Sequence, residues 1–456
     1  MHKNWRKIHF IAIGGSVMHS LAIALKEKGL TITGSDDQIF EPSKSRLEKH
    51  GLLPDHEGWN EDRITSDIDV VILGMHARDD NPELKKAKEL GLTIYSFPEF
   101  IYHQSEDKQR VVIAGSHGKT TIASMVIHVL NYYHRTFDYA VGATIKGITN
   151  TVKLTDEAPI IIIEGDEYLS SSIDKTPKFL HYKHHIGLIS GIAWDHINVF
   201  PTEDEYVKQF DLFADASPKA GFLIYCEEDA MASIICSKER SDVNTISYKT
   251  HPYIVDGGVA YLLNKDKNIP LKVFGKHNMQ NISGAKEILK RTGISEEQFN
   301  TAIQTFEGAN NRLEQVAQNS SFTLYKDYAH APSKVKATTL ALKEQYPERD
   351  LVACLELHTF SSLNKKFLSE YSGSLKYANE PIVYYNPATI KHKNLDPISQ
   401  EDIQQGFANK DIKVFDDVDA LTNHLSSLSW DDKNLVLMSS GNFDGLDYQK
   451  LFSDIT

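Results

Sequence analysis

The sequence predicts an α/β protein of three domains, and three observations carry that prediction. Short apolar runs alternate with helical patterns along most of the chain, the signature of sheets with helical crossovers. At 456 residues the chain is too long for a single compact core. Polar interruptions at 103–109 and just past Phe306-Glu307-Gly308 break the alternation into three blocks. The expected domains are residues 1–107, 108–309 and 310–456.

Composition narrows the classes of function. Hydrophobic residues make up 41% and charged residues 24%, as in ordinary globular proteins. A formal net charge of -13 argues against a broad nucleic-acid surface, because phosphate binding draws on excess lysine and arginine. The three cysteines, Cys226, Cys236 and Cys354, include no CxxC pair, so neither a disulfide framework nor a zinc site is indicated and the chain is expected in the cytoplasm. After the basic opening Met1–Lys7, the apolar run Ile8–Ile13 breaks at Gly14-Gly15, too short for a secretory signal. No later stretch approaches a membrane span, so neither nucleic acid nor membrane is expected as a partner.

In the first block, apolar runs at Ile8–Ile13, Thr31–Thr33, Val70–Leu73 and Leu92–Ile94 read as strands, and Leu21–Lys28 and Leu84–Leu90 as helices. Gly14-Gly15 closes the first strand and Gly34-Ser35-Asp36 the second, about where a dinucleotide fold carries its ribose-binding acid. Ala12 and Val17, however, occupy the first and last glycine positions of a GxGxxG fingerprint. A nucleotide diphosphate held by backbone amides and a plain tight turn both fit this cluster.

The second block has strands at Val111–Ala114, Ile160–Ile163 and Ile186–Ile189, and ligands of open α/β sheets sit at carboxyl ends of strands. The first run ends in Ala114-Gly115-Ser116-His117-Gly118-Lys119-Thr120-Thr121 and opens the helical pattern Ile122–Leu130. Glycines let backbone N–H groups reach phosphate oxygens, the helix N-terminus favours negative charge, Lys119 adds a cation, and Thr120 offers an oxygen to magnesium. Ile113 stands where the longer standard loop has glycine, and a kinase, an ATPase and a ligase all share such a loop. The second run ends in Glu164-Gly165-Asp166-Glu167-Tyr168 and the third leads to Asp195-His196. Glu164 suits magnesium, which prefers oxygen; His196 is a less usual ligand, and solvated acids and a hydrogen-bonded turn are the plainer alternatives. The third block places strands at Leu351–Leu355, Ile382–Tyr384, Val414-Phe415 and Leu435–Met438.

In order along the chain, these motifs resemble the Mur ligase family. The phosphate loop is similar to GTNGKTT, Glu164 to its magnesium-binding glutamate, and Asp195-His196 to its DH pair. Gly275-Lys276-His277-Asn278-Met279-Gln280-Asn281 resembles GxHNxxN, Phe306-Glu307-Gly308 with Arg312 and Glu314 resembles FxGxxxRxE, and Asp327-Tyr328-Ala329-His330-Ala331-Pro332 resembles DYAHxP. The resemblance implies a Rossmann-like N-terminal domain for a UDP-sugar, a central P-loop-type ATPase domain and a Rossmann-like C-terminal domain that brings an amine. It implies ATP and Mg2+, with Gly115, Ser116, His117, Gly118, Lys119, Thr120 and Thr121 on phosphates and Thr120, Glu164 and His196 on the metal. Asn278, Asn281 and Asp327 would then face adenosine, and Arg312 the transferring phosphate. Lys119, Glu164, His196 and Arg312 would be the catalytic set, and Gly14, Gly15, Ser16, Asp36, His330 and His358 would meet the substrates.

Within the family, Ile8–Met18 and Gly34-Ser35-Asp36 resemble the branch that takes UDP-N-acetylmuramate. Glu164–Tyr168 with Asp174–Phe179, and Met438–Gly445, resemble the murein peptide ligases, which attach L-Ala-γ-D-Glu-meso-diaminopimelate. The family's L-alanine ligases carry an HRYTR-type segment, whereas this chain has His358-Thr359-Phe360-Ser361-Ser362 without either arginine, and Gly191 stands where the family usually has asparagine. A carboxylate is best held by a cation, so the tripeptide is the expected amine and L-alanine the alternative. His330 and His358 are both candidates for the base that takes the amine's proton.

Overall fold

The computed structural model describes residues 5–145, 147–265 and 267–455, so the first four residues of the basic opening lie outside the described residues. The chain forms two compact units. One comprises the chain to Ile192 with Val207–Tyr248 and Gly284–Ile294; the other comprises Ala193–Tyr206, Lys249–Ser283 and the chain from Ser295.

The first unit holds two sheets. Strands β1 (Lys7–Ile11), β2 (Thr31–Ser35), β3 (Val70–Leu73) and β4 (Thr93–Ser96) pair in parallel in the order β2-β1-β3-β4. All four residues of β3 are buried, as expected of an apolar run in a parallel sheet covered on both faces. Helix α1 (Met18–Glu27) buries every residue from Met18 to Leu25.

The second sheet contains β5 (Gln109–Ala114), β6 (Asp138–Ala140), β7 (Val152–Lys153), β8 (Ile160–Glu164), β9 (Ile186–Ile189), β10 (Phe222–Cys226) and β11 (Asn244–Tyr248). Their order is β11-β10-β9-β5-β8-β6-β7, parallel except for β6 with β7. β5 is flanked by β8 and β9, in register at Ile113 with Glu164 and at Ala114 with Ile189. The three strand ends singled out in the sequence are therefore neighbours, and α2 (Lys119–Tyr132) starts from the middle one.

In the second unit, β12 (Tyr253–Asp256), β13 (Val259–Leu262) and β14 (Ile269–Leu271) form a small antiparallel sheet. The larger sheet contains β15 (Glu314–Gln318), β16 (Phe322–Asp327), β17 (Asp350–Leu357), β18 (Glu380–Tyr385), β19 (Lys413–Phe415) and β20 (Lys433–Met438), in the order β15-β16-β20-β17-β18-β19. Only β15 runs antiparallel to its neighbour. Residues alternate along β17 between two apolar clusters: Leu351, Ala353, Leu355 and Leu357 face one, Val352 and Cys354 the other. Both units are α/β, and among the described residues no helix is long and apolar enough to cross a membrane.

Candidate active site

The phosphate loop is packed onto the end of β9. Gly115 has φ 132°, and a Cβ there would overlap Ser190 Oγ and lie 3.0 Å from Ser190 N. Ser116 N donates to Gly191 O at 2.9 Å, Ser190 N to Ala114 O at 3.0 Å, and Ser190 Oγ to His117 O. Gly191, the departure from the family's asparagine, is explained by the loop's histidine. A Cβ at 191 would sit 2.6 Å from His117 Nε2, so the imidazole takes the space a side chain would fill.

At the head of α2 the expected groups come together. Thr120 Oγ1 donates to Glu164 Oε1 at 2.7 Å, and Gly142 N donates to Glu164 Oε2 at 2.8 Å. Lys119 Nζ donates to Gly115 O and to Glu167 Oε2, both at 2.6 Å. Burial works against the ammonium, but the charges of Glu167, Asp166 and Glu164 outweigh it and hold the Lys119 pKa above its usual value. Asp166 is paired in turn with Lys178 Nζ at 2.6 Å. Glu167 was legible only as one of several acids; its place beside Lys119 needed the fold.

The Gly14-Gly15 turn is tied to the second strand end. Asp36 is 5% exposed and its Oδ2 accepts from Gly14 N at 2.7 Å, so the carboxylate shapes the loop. Ser16 beside it is exposed. On the helix that follows, His19 Nδ1 meets Gly15 O at 2.9 Å and its Nε2 meets Arg46, which donates to Asn150 Oδ1 at 2.8 Å; no local motif marks this chain of contacts, whose members lie far apart along the chain.

Burial pushes the Asp36 carboxyl up to about 7, with Asp37 adding to the rise against the Gly14 N–H. A carboxyl raised on folding holds a proton that the unfolded chain gives up near its ordinary value of about 4. Its contribution to stability is full below about pH 4 and lost as pH rises through about 7. Between about pH 5 and about pH 8 the thermal midpoint should therefore fall more steeply for the parent than for Asp36→Asn; equal slopes would show that the carboxyl is not raised.

The remaining predicted residues belong to the second unit. His196 has φ 56°, its N–H meets Asp195 Oδ1 at 2.7 Å, and its carbonyl accepts from Val199 N at 2.8 Å. Burial opposes charge on Asp195, but His196, Lys334 and His330 hold its pKa below the usual range. Burial first, then Lys334, lowers His330 to about 3, with Arg312 a smaller opposing charge, so His330 is neutral at physiological pH. The Arg312 guanidinium lies 4.6 Å from the Tyr328 ring centroid. Asp195, His330, Lys334 and Arg312 thus share one electrostatic neighbourhood.

Asn278 and Asn281 are buried on the first turns of the helix Lys276–Arg291, where Asn278 Nδ2 donates to Phe274 O at 2.8 Å and Asn281 Nδ2 to Asn278 Oδ1 at 3.4 Å. Asp327 closes β16 and accepts from Thr338 Oγ1 at 2.6 Å. His358 follows β17, with Nδ1 3.4 Å from Glu356 Oε1. Sequence reasoning passed over Glu356, because it is the next residue after the apolar run taken as the strand.

Comparison with known proteins identifies the family. The profile of the Mur ligase family catalytic domain matches residues 7–109, that of the Mur ligase middle domain residues 113–289, and that of the Mur ligase glutamate ligase domain residues 311–441. A UDP-N-acetylmuramate–L-alanine ligase of Caldicellulosiruptor bescii is 31% identical over 408 residues, covering 87% of each chain. Among solved structures, the fold is similar to a murein peptide ligase of Psychrobacter arcticus, with TM-score 0.68 and 22% identity over 99% of this chain and 98% of that one. It is similar also to the UDP-N-acetylmuramate–alanine ligase of Thermotoga maritima, with TM-score 0.71 and 18% identity over 96% of each. The chain belongs to the Mur ligase family and is an ATP-dependent, ADP-forming ligase that makes a C–N bond.

Proposed function

We propose that the chain joins the lactyl carboxylate of UDP-N-acetylmuramate to the amine of L-Ala-γ-D-Glu-meso-diaminopimelate in the cytoplasm. Residues 1–107 take the UDP-sugar, 108–309 ATP and 310–456 the amine. The observation that carries the choice of amine is at the end of β17. Among the described residues, neither Glu356 nor His358 pairs with a lysine or arginine, and Thr359–Ser362 contains neither. A lone amino acid's carboxylate is best held by a cation, whereas a tripeptide spreads its recognition over a longer surface. L-alanine is the second reading, favoured by the name of the 31% identical relative.

The carboxylate attacks the γ-phosphate of ATP, giving an acyl phosphate and ADP; the amine attacks the acyl carbon, and phosphate leaves. Such transfer needs positioning and charge neutralisation more than covalent chemistry from the protein. Lys119 supplies the cation, while the Gly115–Thr121 amides and the α2 N-terminus cradle the phosphates. Thr120 Oγ1 and Glu164 Oε1, hard oxygens 2.7 Å apart, fit Mg2+, which would neutralise phosphate charge when bound; His196 is the third proposed ligand. Arg312 meets the transferring phosphate, and Asn278, Asn281 and Asp327 meet adenosine. Gly14, Gly15 and Ser16 offer backbone amides to the UDP-sugar, in a loop that Asp36 holds in shape. His330 and His358 meet the amine.

The test is purified protein with ATP, magnesium and UDP-N-acetylmuramate, given either the tripeptide or L-alanine, with phosphate release and product mass followed together. Release with the tripeptide alone is the expected result. Release with L-alanine alone would reverse the choice of amine, and release with neither would overturn the substrate pair.

A further inference from the structure

When the amide forms, the amine nitrogen must lose a proton, and the strand ends of the second unit hold a pair of groups fitted to take it. β17 and β20 are neighbours whose outgoing chains leave over opposite faces of the sheet. Leu363, Phe367 and Leu368, after β17, pack in one apolar cluster; Phe443 and Leu451, after β20, pack in the other. The carboxyl ends of parallel strands, where such outgoing chains part, are the usual ligand position in these sheets. Glu356 and His358 stand at the β17 end, Ser439 and Gly441 at the β20 end.

Glu356 is 1% exposed and shares its sheet face with Cys354 and Tyr384. Its Oε2 accepts from the Ser439 hydroxyl and, at 2.9 Å, from Phe443 N–H, while Oε1 faces His358 Nδ1 at 3.4 Å. Burying a carboxylate is unfavourable unless it is hydrogen-bonded, and the imidazole is the only basic side chain within 4 Å of it among the described residues. The loop after β20 closes on the ring: a Cβ at Gly441 would sit 2.8 Å from His358 Nδ1 and 3.0 Å from Glu356 Oε2. The His358 side chain is nevertheless 39% exposed, and its Nε2 has no hydrogen-bond partner among the described residues. His330, the other histidine considered, has Nδ1 committed to Tyr328 O at 2.8 Å and faces Lys334 and Arg312, cations that oppose its protonation.

We propose that His358 is the catalytic group that takes the proton of the attacking amine, and that Glu356 is a positioning residue that keeps the proton on Nδ1 and the lone pair on Nε2. The inference rests on the amide-forming reading above. The neutral amine nitrogen bonds to the acyl carbon, and the resulting N–H proton passes to His358 Nε2. The tetrahedral adduct then collapses, the C–O bond to phosphate breaks with its electron pair on phosphate, and the imidazolium beside Glu356 later releases its proton to water. The pair divides labour as a carboxylate and a histidine do in other proton relays, one holding the tautomer and the other moving the proton.

Two readouts on the full chain separate this step from the one before it. Exchange of labelled ADP into ATP, dependent on UDP-N-acetylmuramate, reports acyl-phosphate formation without any amine; product mass reports the amide. His358→Gly should lower amide formation by about 10²-fold or more, keep the exchange within about twofold, and recover part of its activity with added imidazole. Glu356→Gln, which presents a donor to Nδ1 and so favours the wrong tautomer, should lower kcat by about 10²-fold with the amine KM changed less than about threefold. Glu356→Asp should recover part of that loss. Amide formation by His358→Gly within about twofold of the parent, or a raised amine KM at unchanged kcat without imidazole rescue, would overturn the assignment. Loss of the exchange together with the amide in His358→Gly, which has a half-exposed side chain, would overturn it too. Neither exchange nor amide from the unsubstituted protein would instead refute the substrate reading and this inference with it.

Discussion

Lys119→Met is expected to lower phosphate release by about 10³-fold, equivalent to about 4 kcal/mol of transition-state stabilisation. Methionine keeps the length and apolar stem of lysine, so what is lost is the charge at the head of α2. The substitution also breaks a largely buried ion pair, since Lys119 and Glu167 side chains are 14% and 2% exposed. Removing one partner leaves a buried carboxylate beside Asp166 and Glu164 without that cation, at a cost of about 3 kcal/mol in stability. Adding Glu167→Gln to the same chain removes that second effect. The double variant should regain most of its thermal stability and none of its activity, which separates the role of Lys119 in phosphoryl transfer from its role in folding. If Lys119→Met kept activity within about tenfold of the parent, the cation that neutralises the transferring phosphate would have to be another residue.

The phosphate loop was legible because its chemistry is local. A strand, a glycine-bearing turn, Lys119-Thr120 and a helix follow one another within a few residues, and the fold reproduces that order from β5 to α2. Val70–Leu73 and Ile186–Ile189 were read with the bounds they have in the fold, because a short run buried on both faces leaves little doubt about its ends. Helix α1 and β17 extend beyond the apolar runs that announced them, to Met18 and to Leu357. The extension of β17 is the reason Glu356 was passed over. A charged residue reads as the end of an apolar run, yet a strand continues through it when a hydroxyl and a backbone amide satisfy the carboxylate.

Two further features lay outside what a sequence pattern carries. The small sheet of β12, β13 and β14 has strands of only three or four residues, too short for a period-2 pattern to stand out, and no element is expected there from the sequence. The Asp195-His196 pair follows β9 by a few residues, but Ala193–Tyr206 folds with the second unit, where Trp194 packs 6.3 Å from Phe367 and Ile197 joins the same apolar cluster. Apolar partners more than a hundred residues away hold this segment, because apolar burial follows contact in space.

Gly115→Ala is the second substitution with a large expected effect, and it tests the cradle rather than the cation. At φ 132° an L side chain is strained, and the added Cβ would overlap Ser190 Oγ while lying 3.0 Å from Ser190 N and 3.1 Å from Gly191 O. Ser190 can turn its hydroxyl away, but the two backbone atoms belong to the end of β9 and cannot yield without moving the strand. The loop must lift instead, and the bond from Ser116 N to Gly191 O goes with it. The expected loss is about 3 kcal/mol in stability, with nucleotide binding weakened by at least about tenfold because the amides no longer converge on one anion. Gly29→Ala in the same unit is the matched control: φ is 92° there and a Cβ would meet nothing within 4 Å, so backbone strain acts alone, at about 1 kcal/mol. Thermal denaturation and ADP titration of the two variants separate the effects. Should Gly115→Ala lose no more stability than Gly29→Ala and bind ADP as the parent does, the packing of the loop on β9 would not be what shapes the phosphate site.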